Sequence, residues 1–209
     1  MRNKIYFFKW KRLIQKWGIW PFLLLSCLVG ARYIKPRPDS SLSFSIHVKH
    51  VIDGDTILLS DGRKVRLIGV DTPESHDSKK LDRILKKSHK TRSEIISQGR
   101  KATFFTRKLL GDRVLHLKFD VENDNKGHRD VYGRLLAYVY VDAPSMIDQK
   151  KLVYVKDDEG KNLLFLNASL LKSGYAKAYR SFRYKEKMFF LNLEREARQN
   201  KRGLWRDGF

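Results

Sequence analysis

Three short apolar segments separated by Asp-Gly pairs constrain the fold of this chain more than any other feature. Val, Ile and Leu are frequent in all three, which comprise residues 44–52, 55–60 and 64–70. The pairs Asp53-Gly54 and Asp61-Gly62 stand between them, and Asp-Gly is typical of tight hairpin turns. The pattern therefore predicts a meander of three antiparallel strands.

The rest of the chain mixes helical and strand patterns. Apolar residues recur at helical spacing after Arg92 and stop at Gly111, a position typical of a helix C-cap. Further predicted elements are strands at 113–120 and 134–141, a hairpin within 142–162, and helices at 167–173 and about 184–201. Residues 75–92 are polar and predict an exposed loop with at most one helical turn. The fold class that follows is α+β and mainly β: a five-stranded OB-fold Greek-key barrel with about three helices.

An apolar segment precedes this predicted domain. Residues 17–31 contain no charge, and six basic residues stand before them, which is the layout of an export signal. A bilayer span takes about 20 apolar residues, so the segment is short for a stable transmembrane helix. We expect residues 1–35 to be a signal peptide or anchor, 36–43 a linker, and 44–209 the folded domain.

Three fates of the leader remain open. Cleavage after Ala31 fits the small-residue spacing with Val29. Lipidation at Cys27 fits the sequence L-L-S-C. Retention would leave membrane attachment through residues 17–34. All three predict an exported domain, either secreted or anchored on the outer face of a membrane, and we expect the source to be a bacterium.

The folded part is basic independently of the leader. The chain has a net charge of +21, and eight of its 44 basic residues lie in the first 35 positions, so 36 remain against 23 acidic ones. A charge excess of this size indicates a polyanionic partner, either nucleic acid or an anionic membrane surface.

Carboxylates nevertheless gather on the most strand-like segment, at Asp53, Asp55, Asp71 and Glu74. Thr72-Pro73 restricts the backbone directly after Asp71. Carboxylates on a rigid scaffold with a carbonyl nearby suit a hard divalent cation such as Ca²⁺. The alternative is that Asp53 and Asp55 are only turn residues around the glycine between them.

Two arginines favour a phosphate site. Arg66 lies in V-R-L-I-G-V, and Arg134 follows Tyr132-Gly133 at the start of another predicted strand. An arginine among apolar neighbours needs an anion, and its planar fork matches phosphate. Two arginines beside a carboxylate-bound cation would suit a phosphodiester whose charge rises during in-line attack.

Five motifs together resemble the staphylococcal nuclease (thermonuclease) family. They stand in the family's order across residues 44–206: V-I-D-G-D-T, V-R-L-I-G-V-D-T-P-E, Y-G-R-L-L-A-Y-V-Y, L-K-S-G-Y-A-K-A-Y and A-R-Q-N-K-R-G-L-W. The resemblance implies an OB-fold and a calcium-dependent phosphodiesterase that acts on DNA and RNA. It also implies cleavage of the bond to the 5′ oxygen.

The resemblance assigns roles around the metal. It implies that the carboxylates of Asp55 and Asp71 and the backbone carbonyl of Thr72 bind Ca²⁺. Asp53 matches an acid near these ligands that does not itself bind the ion.

The resemblance also assigns roles toward the substrate. Glu74 matches the family's proposed general base for the attacking water, and Arg66 and Arg134 match its phosphate-binding arginines. Tyr132 matches an aromatic residue that contacts a substrate phosphate, and Tyr179 one that flanks the nucleotide base.

The chain departs from the family at its periphery. Val131 stands where the family prototype has a lysine, and the segments 75–92 and 142–162 are longer. The first of these segments would either extend the phosphate-binding surface or be a solvated loop. Its basic residues are Lys79, Lys80, Lys86, Lys87, Lys90 and Arg92.

The main alternative is a non-catalytic nucleic-acid-binding OB-fold module, which needs only a basic groove and stacking aromatics. Such a module need not keep the carboxylates and arginines together, so their joint presence favours the enzyme. We infer no protein partner and expect a monomer whose partner is DNA and/or RNA.

Overall fold

The computed structural model describes residues 44–143 and 149–209. The predictions for the leader and the linker, residues 1–35 and 36–43, lie outside this part of the chain. In the described part, the strands are β1 (Phe44–Asp53), β2 (Thr56–Leu59), β3 (Lys64–Leu67), β4 (Val70–Asp71), β5 (Val114–Lys118), β6 (Leu135–Asp142), β7 (Tyr154–Lys156), β8 (Asn162–Phe165) and β9 (Lys177–Ala178).

Five of these strands close a barrel. β1, β2 and β3 form the predicted antiparallel meander, and β5 joins β1 to β6. The barrel closes where β6 runs parallel to β3, with Val65 opposite Leu135. β6 is buried along its length from Leu135 to Val141, and strands pair with both of its edges. The predicted five-stranded OB-fold barrel is confirmed.

The described part contains four α-helices rather than about three. They are α1 (Lys79–Leu85), α2 (Arg92–Leu110), α3 (Leu166–Lys172) and α4 (Lys187–Gln199). α1 lies in the segment predicted to be an exposed loop. Ser78 caps it by accepting a hydrogen bond from the Leu81 amide, and the Leu81 side chain is fully buried. Seven residues with one buried side chain are too few for a clear helical period.

α2 supports the segments that carry the acidic residues. Its N-terminus has a capping box formed by Thr91 and Glu94. Thr106 Oγ1 donates a hydrogen bond to the carbonyl of Gly54 over 2.7 Å. A Cβ placed on Gly99 would lie 2.1 Å from the carbonyl oxygen of Glu74. The helix therefore packs directly against the backbone of the 72–75 segment.

The strand predicted at 64–70 is interrupted at Gly69, which has a φ of 74°. A Cβ on Gly69 would lie 2.6 Å from the Tyr184 ring, so this position favours glycine both in conformation and in packing. After the break, β4 pairs with β9 and places Asp71 opposite Lys177. The bend thus turns Asp71 away from the barrel wall.

The predicted hairpin within 142–162 is present as β7 and β8, which pair antiparallel beyond β6. No helix of the described residues, 44–143 and 149–209, has the length and apolar character needed to cross a membrane.

Candidate functional site

The carboxylate of Asp55 lies at the centre of the site and is almost fully buried. Its Oδ2 accepts hydrogen bonds from the amide and hydroxyl of Thr72, at 2.8 and 2.9 Å. Burial favours a neutral carboxyl, but the charges of Arg66 and Lys80 and the Thr72 hydrogen bonds outweigh it. The pKa of Asp55 is therefore below its ordinary value.

Arg66 joins the two carboxylates that were predicted to bind a metal. Its guanidinium lies 3.0 Å from Asp55 Oδ2 and 3.3 Å from Asp71 Oδ1. Only 12% of the Arg66 side chain is exposed. Arg66 lies on β3 and Asp71 on β4, on either side of the Gly69 bend. The structure thus brings Asp55, Arg66 and Asp71 together.

Glu74 is connected to this group through Lys80. The Lys80 ammonium lies 2.8 Å from Glu74 Oε1 and 3.0 Å from Asp71 Oδ1. The other oxygen of Glu74, Oε2, accepts a hydrogen bond from the Ser78 hydroxyl at 2.7 Å. Both carboxylate oxygens of Glu74 are therefore occupied by groups at the start of α1.

Arg134 contacts the Thr56 hydroxyl and is held by Asp130. Asp130 Oδ2 accepts from Arg134 Nε at 2.7 Å and lies 2.6 Å from Nη2. Asp130 Oδ1 accepts from the backbone amides of Tyr132 and Arg134. One carboxylate therefore shapes the turn and orients the guanidinium.

Thr56 connects the two halves of the site. Its hydroxyl donates to Asp55 Oδ1 over 3.1 Å and accepts from Arg134 Nη1 at 3.5 Å. The side chains of Asp55 and Arg134 are thus separated by a single hydroxyl group.

The predicted substrate-binding tyrosines differ in their relation to the site. Tyr132 is 76% exposed, and its ring centroid lies 5.3 Å from the Arg134 guanidinium carbon. Tyr179 donates its amide to the Gly69 carbonyl, and its ring packs on Phe182. Within the described residues, no hydrogen bond or ion pair joins Tyr179 to the carboxylates.

Asp53 lies beside the central carboxylates rather than among them. Its Oδ1 accepts from the Ser75 hydroxyl and lies 3.3 Å from His76 Nδ1. Through these contacts, Asp53 holds Ser75 and His76, which follow Glu74, at the end of β1.

The comparisons with known proteins show the family of the chain. Residues 64–207 match the sequence model of the family described as Staphylococcal nuclease homologue. The chain belongs to the staphylococcal nuclease family. The family membership that the five motifs predicted is thereby confirmed.

Relatives in this family cover most of the chain. A protein from Methanocaldococcus jannaschii, described as uncharacterized, is 36% identical over 165 residues, which are 76% of this chain and 70% of that protein. A thermonuclease from Staphylococcus intermedius is 32% identical over 76% of this chain and 74% of its own length. A thermonuclease from Staphylococcus hyicus is 30% identical over 76% of this chain and 73% of its own length.

The oxygen atoms of the site suit a hard cation, but cationic side chains of the protein already contact some of them. Asp55, Asp71 and the Thr72 carbonyl supply oxygen ligands of the kind that Ca²⁺ prefers. Arg66 and Lys80 already contact these carboxylates. Among residues 44–143 and 149–209, no group of three or more His, Cys, Asp or Glu is arranged to hold a metal ion. In their chemistry, these oxygen donors thus fit the ion.

Sequence reasoning missed several residues of the site. The contacts of Asp130, Ser78 and Thr56 were not predicted, and Lys80 was predicted only as part of a basic loop. A signal existed for Asp130, because an Asp two residues before the Tyr-Gly of a turn commonly accepts backbone amides. No sequence pattern indicated that Lys80 would lie between two carboxylates.

Proposed function

We propose that this protein is a nuclease that hydrolyses phosphodiester bonds of DNA and/or RNA. The observation that carries the proposal is the grouping of Arg66, Arg134 and Glu74 around the buried carboxylate of Asp55 and its neighbour Asp71. Relatives described as thermonucleases support it. The basic charge of the chain supports a polyanionic substrate.

We further propose that the reaction depends on Ca²⁺ held by Asp55, Asp71 and the carbonyl of Thr72. When bound, the ion would supply Lewis-acid polarisation of the phosphate. Buried hydrogen bonds from Thr72 keep Asp55 ionised and fixed, which is the state that a cation requires of its ligand.

The protein's own residues would accept the proton of the water and stabilise the charge on the phosphate. Glu74 takes the proton of the attacking water or orders that water. Arg66, which contacts Asp55 directly, and Arg134, which reaches it through the Thr56 hydroxyl, stabilise the charge on the pentacoordinate transition state. The bond between phosphorus and the 5′ oxygen breaks, which leaves a 3′ phosphate and a 5′ hydroxyl.

A non-catalytic nucleic-acid-binding module on the same barrel is the second candidate. The basic charge and the exposed ring of Tyr132 suit it. It gives no reason for a buried carboxylate that is held by an arginine and two threonines. The nuclease accounts for these groups.

We also propose that the domain acts outside the cytoplasm as a monomer. The export proposal rests on the charge and hydropathy of residues 1–35. Cell fractionation of the full chain would test it, with recovery in the cytoplasm as the contrary result.

A digestion assay tests the nuclease proposal. Plasmid DNA and RNA are incubated with the wild-type protein in Ca²⁺ and then in excess chelator, beside the variant Glu74→Gln. We expect cleavage only by the wild type in Ca²⁺, with products that accept a 5′ phosphate label without prior dephosphorylation. Nucleic acid that is bound but not cut under every condition would favour the binding module.

A further inference from the structure

Lys80 places an ammonium group between the two carboxylates at the open side of the site. Its Nζ lies 3.0 Å from Asp71 Oδ1 and 2.8 Å from Glu74 Oε1. The Lys80 side chain is 40% exposed, whereas that of Glu74 is 14% exposed. The ammonium therefore reaches inward from the surface to partly buried acids.

The position of Lys80 is fixed by its helix. Ser78 caps α1 and also donates to Glu74 Oε2, so the helix start and Glu74 are held together. Leu81, the next residue, is fully buried. Arg92 at the start of α2 contacts Asp82 at 2.7 Å and also contacts Asp77. These contacts direct Lys80 toward the acidic group rather than into solvent.

An ammonium at this place has the charge sign of a metal ion and contacts one of its proposed ligands, Asp71. Asp71 and Glu74 repel each other, and a cation within about 3–4 Å of both offsets this repulsion. A divalent cation bound to Asp71 would meet the repulsion of the lysine. The two cations therefore exclude each other at Asp71.

We propose that Lys80 is an internal competitor of the metal ion and a positioning residue for Glu74. This inference rests on the proposed function. The ammonium offsets the charge of Asp71 and occupies Glu74. Metal binding requires Lys80 to leave Asp71, and the same movement frees Glu74 Oε1 to accept a proton. Lys80 thus couples binding of the ion at Asp71 to the release of Glu74 as the general base.

Calcium titration in the absence of nucleic acid tests the proposal without using activity. Isothermal calorimetry on the full chain compares the wild type with Lys80→Gln, Lys80→Arg and Lys79→Gln. Lys79 is exposed and adjacent, so Lys79→Gln makes the same change in net charge away from the carboxylates. Unfolding midpoints of all four proteins establish that each is folded.

We expect Lys80→Gln to lower the calcium Kd by about tenfold, the size expected for removing a partly exposed competing charge. Lys80→Arg should stay near the wild type, and Lys79→Gln should change the Kd by less than about twofold. Ion binding by Lys80→Gln when the wild type binds too weakly to saturate would also support the proposal.

Two results would overturn it. One is a Kd for Lys80→Gln within twofold of the wild type, including the case in which neither protein binds the ion. The other is an equal change in Lys79→Gln, which would make the effect one of net charge. Calcium-dependent digestion by the wild type together with either result would reject only this inference. Tighter ion binding by Lys80→Gln without any calcium-dependent digestion would reject only the proposed function.

Discussion

Arg66 and Arg134 are held by carboxylates that differ in burial. Arg66 contacts Asp55, of which 5% is exposed. Removing Arg66 would leave that carboxylate with only hydroxyl and amide partners, and breaking such a buried pair typically costs about 3–5 kcal/mol. Arg134 is 26% exposed, and its partner Asp130, 15% exposed, also accepts hydrogen bonds from two backbone amides. Arg134 is therefore the better position at which to separate catalysis from stability.

Substitution Arg134→Ala should lower the cleavage rate by about 10²–10³-fold, because one donor to the developing phosphate charge is lost. The free energy of unfolding should change by less than about 1 kcal/mol. Steady-state rates and denaturant unfolding measure the two effects. Full activity in Arg134→Ala would remove this residue from the proposed mechanism.

Asp130 is expected to act through Arg134. Asp130→Asn keeps an oxygen for the amides of Tyr132 and Arg134 but loses the ion pair with the guanidinium. We expect a rate loss of about tenfold, smaller than that of removing Arg134, since the arginine remains but is less well oriented. In the double variant with Arg134→Ala, Asp130→Asn should have no further effect on the rate. Additive losses would mean that Asp130 has a separate role.

Among the secondary-structure elements, α2 controls the position of Glu74. A Cβ at Gly99 would lie 2.1 Å from the Glu74 carbonyl oxygen and 2.6 Å from the Ser75 nitrogen. Gly99→Ala should therefore displace this backbone, with a loss of about 1–3 kcal/mol in unfolding free energy. A displacement of about 1 Å would cost about 10²-fold in rate.

Ser97→Ala is the matched control for Gly99→Ala. Ser97 is exposed on the same helix, and alanine there should slightly favour the helix. Rates and unfolding curves of the two variants are compared directly. A fully active and stable Gly99→Ala protein would show that α2 does not fix the Glu74 segment.

The barrel was predictable because its strands are marked by local patterns: Asp-Gly turns between apolar segments and a run of apolar residues over β6. The motifs likewise indicated Asp55, Arg66, Asp71 and Glu74 as one site, and the structure brings them together. α1 was not predicted because its stability depends on one buried leucine and a serine cap. The contact of Lys80 with Asp71 depends in turn on where α1 lies, and no local sequence pattern predicts that position.

For the molecule as a whole, the charge predicts salt-dependent binding. Within the described α1–α2 region, Lys80, Lys90 and Arg92 contact protein acceptors, whereas Lys86 and Lys87 are exposed. If these two lysines contact phosphates, replacing both with Gln should reduce the slope of log K against log salt by about two for duplex DNA.

Binding by the double lysine variant is measured on a Glu74→Gln background, which is expected to prevent cleavage. Dissociation constants for a DNA duplex are determined at several salt concentrations with and without the two lysines. Coincident slopes would show that this part of the surface is a solvated loop that the substrate does not touch.

We propose that a calcium-dependent reaction takes place at the site formed by Asp55, Arg66, Asp71, Glu74 and Arg134. The most direct measurement is the single-turnover rate of cleavage of a defined oligonucleotide as calcium is titrated, for the wild type and for Asp71→Asn. The wild-type rate should rise with calcium, saturate and vanish on chelation, while Asp71→Asn should need far more calcium or show no cleavage. A wild-type rate that is indifferent to calcium and chelator, or an Asp71→Asn curve equal to that of the wild type, would contradict the account.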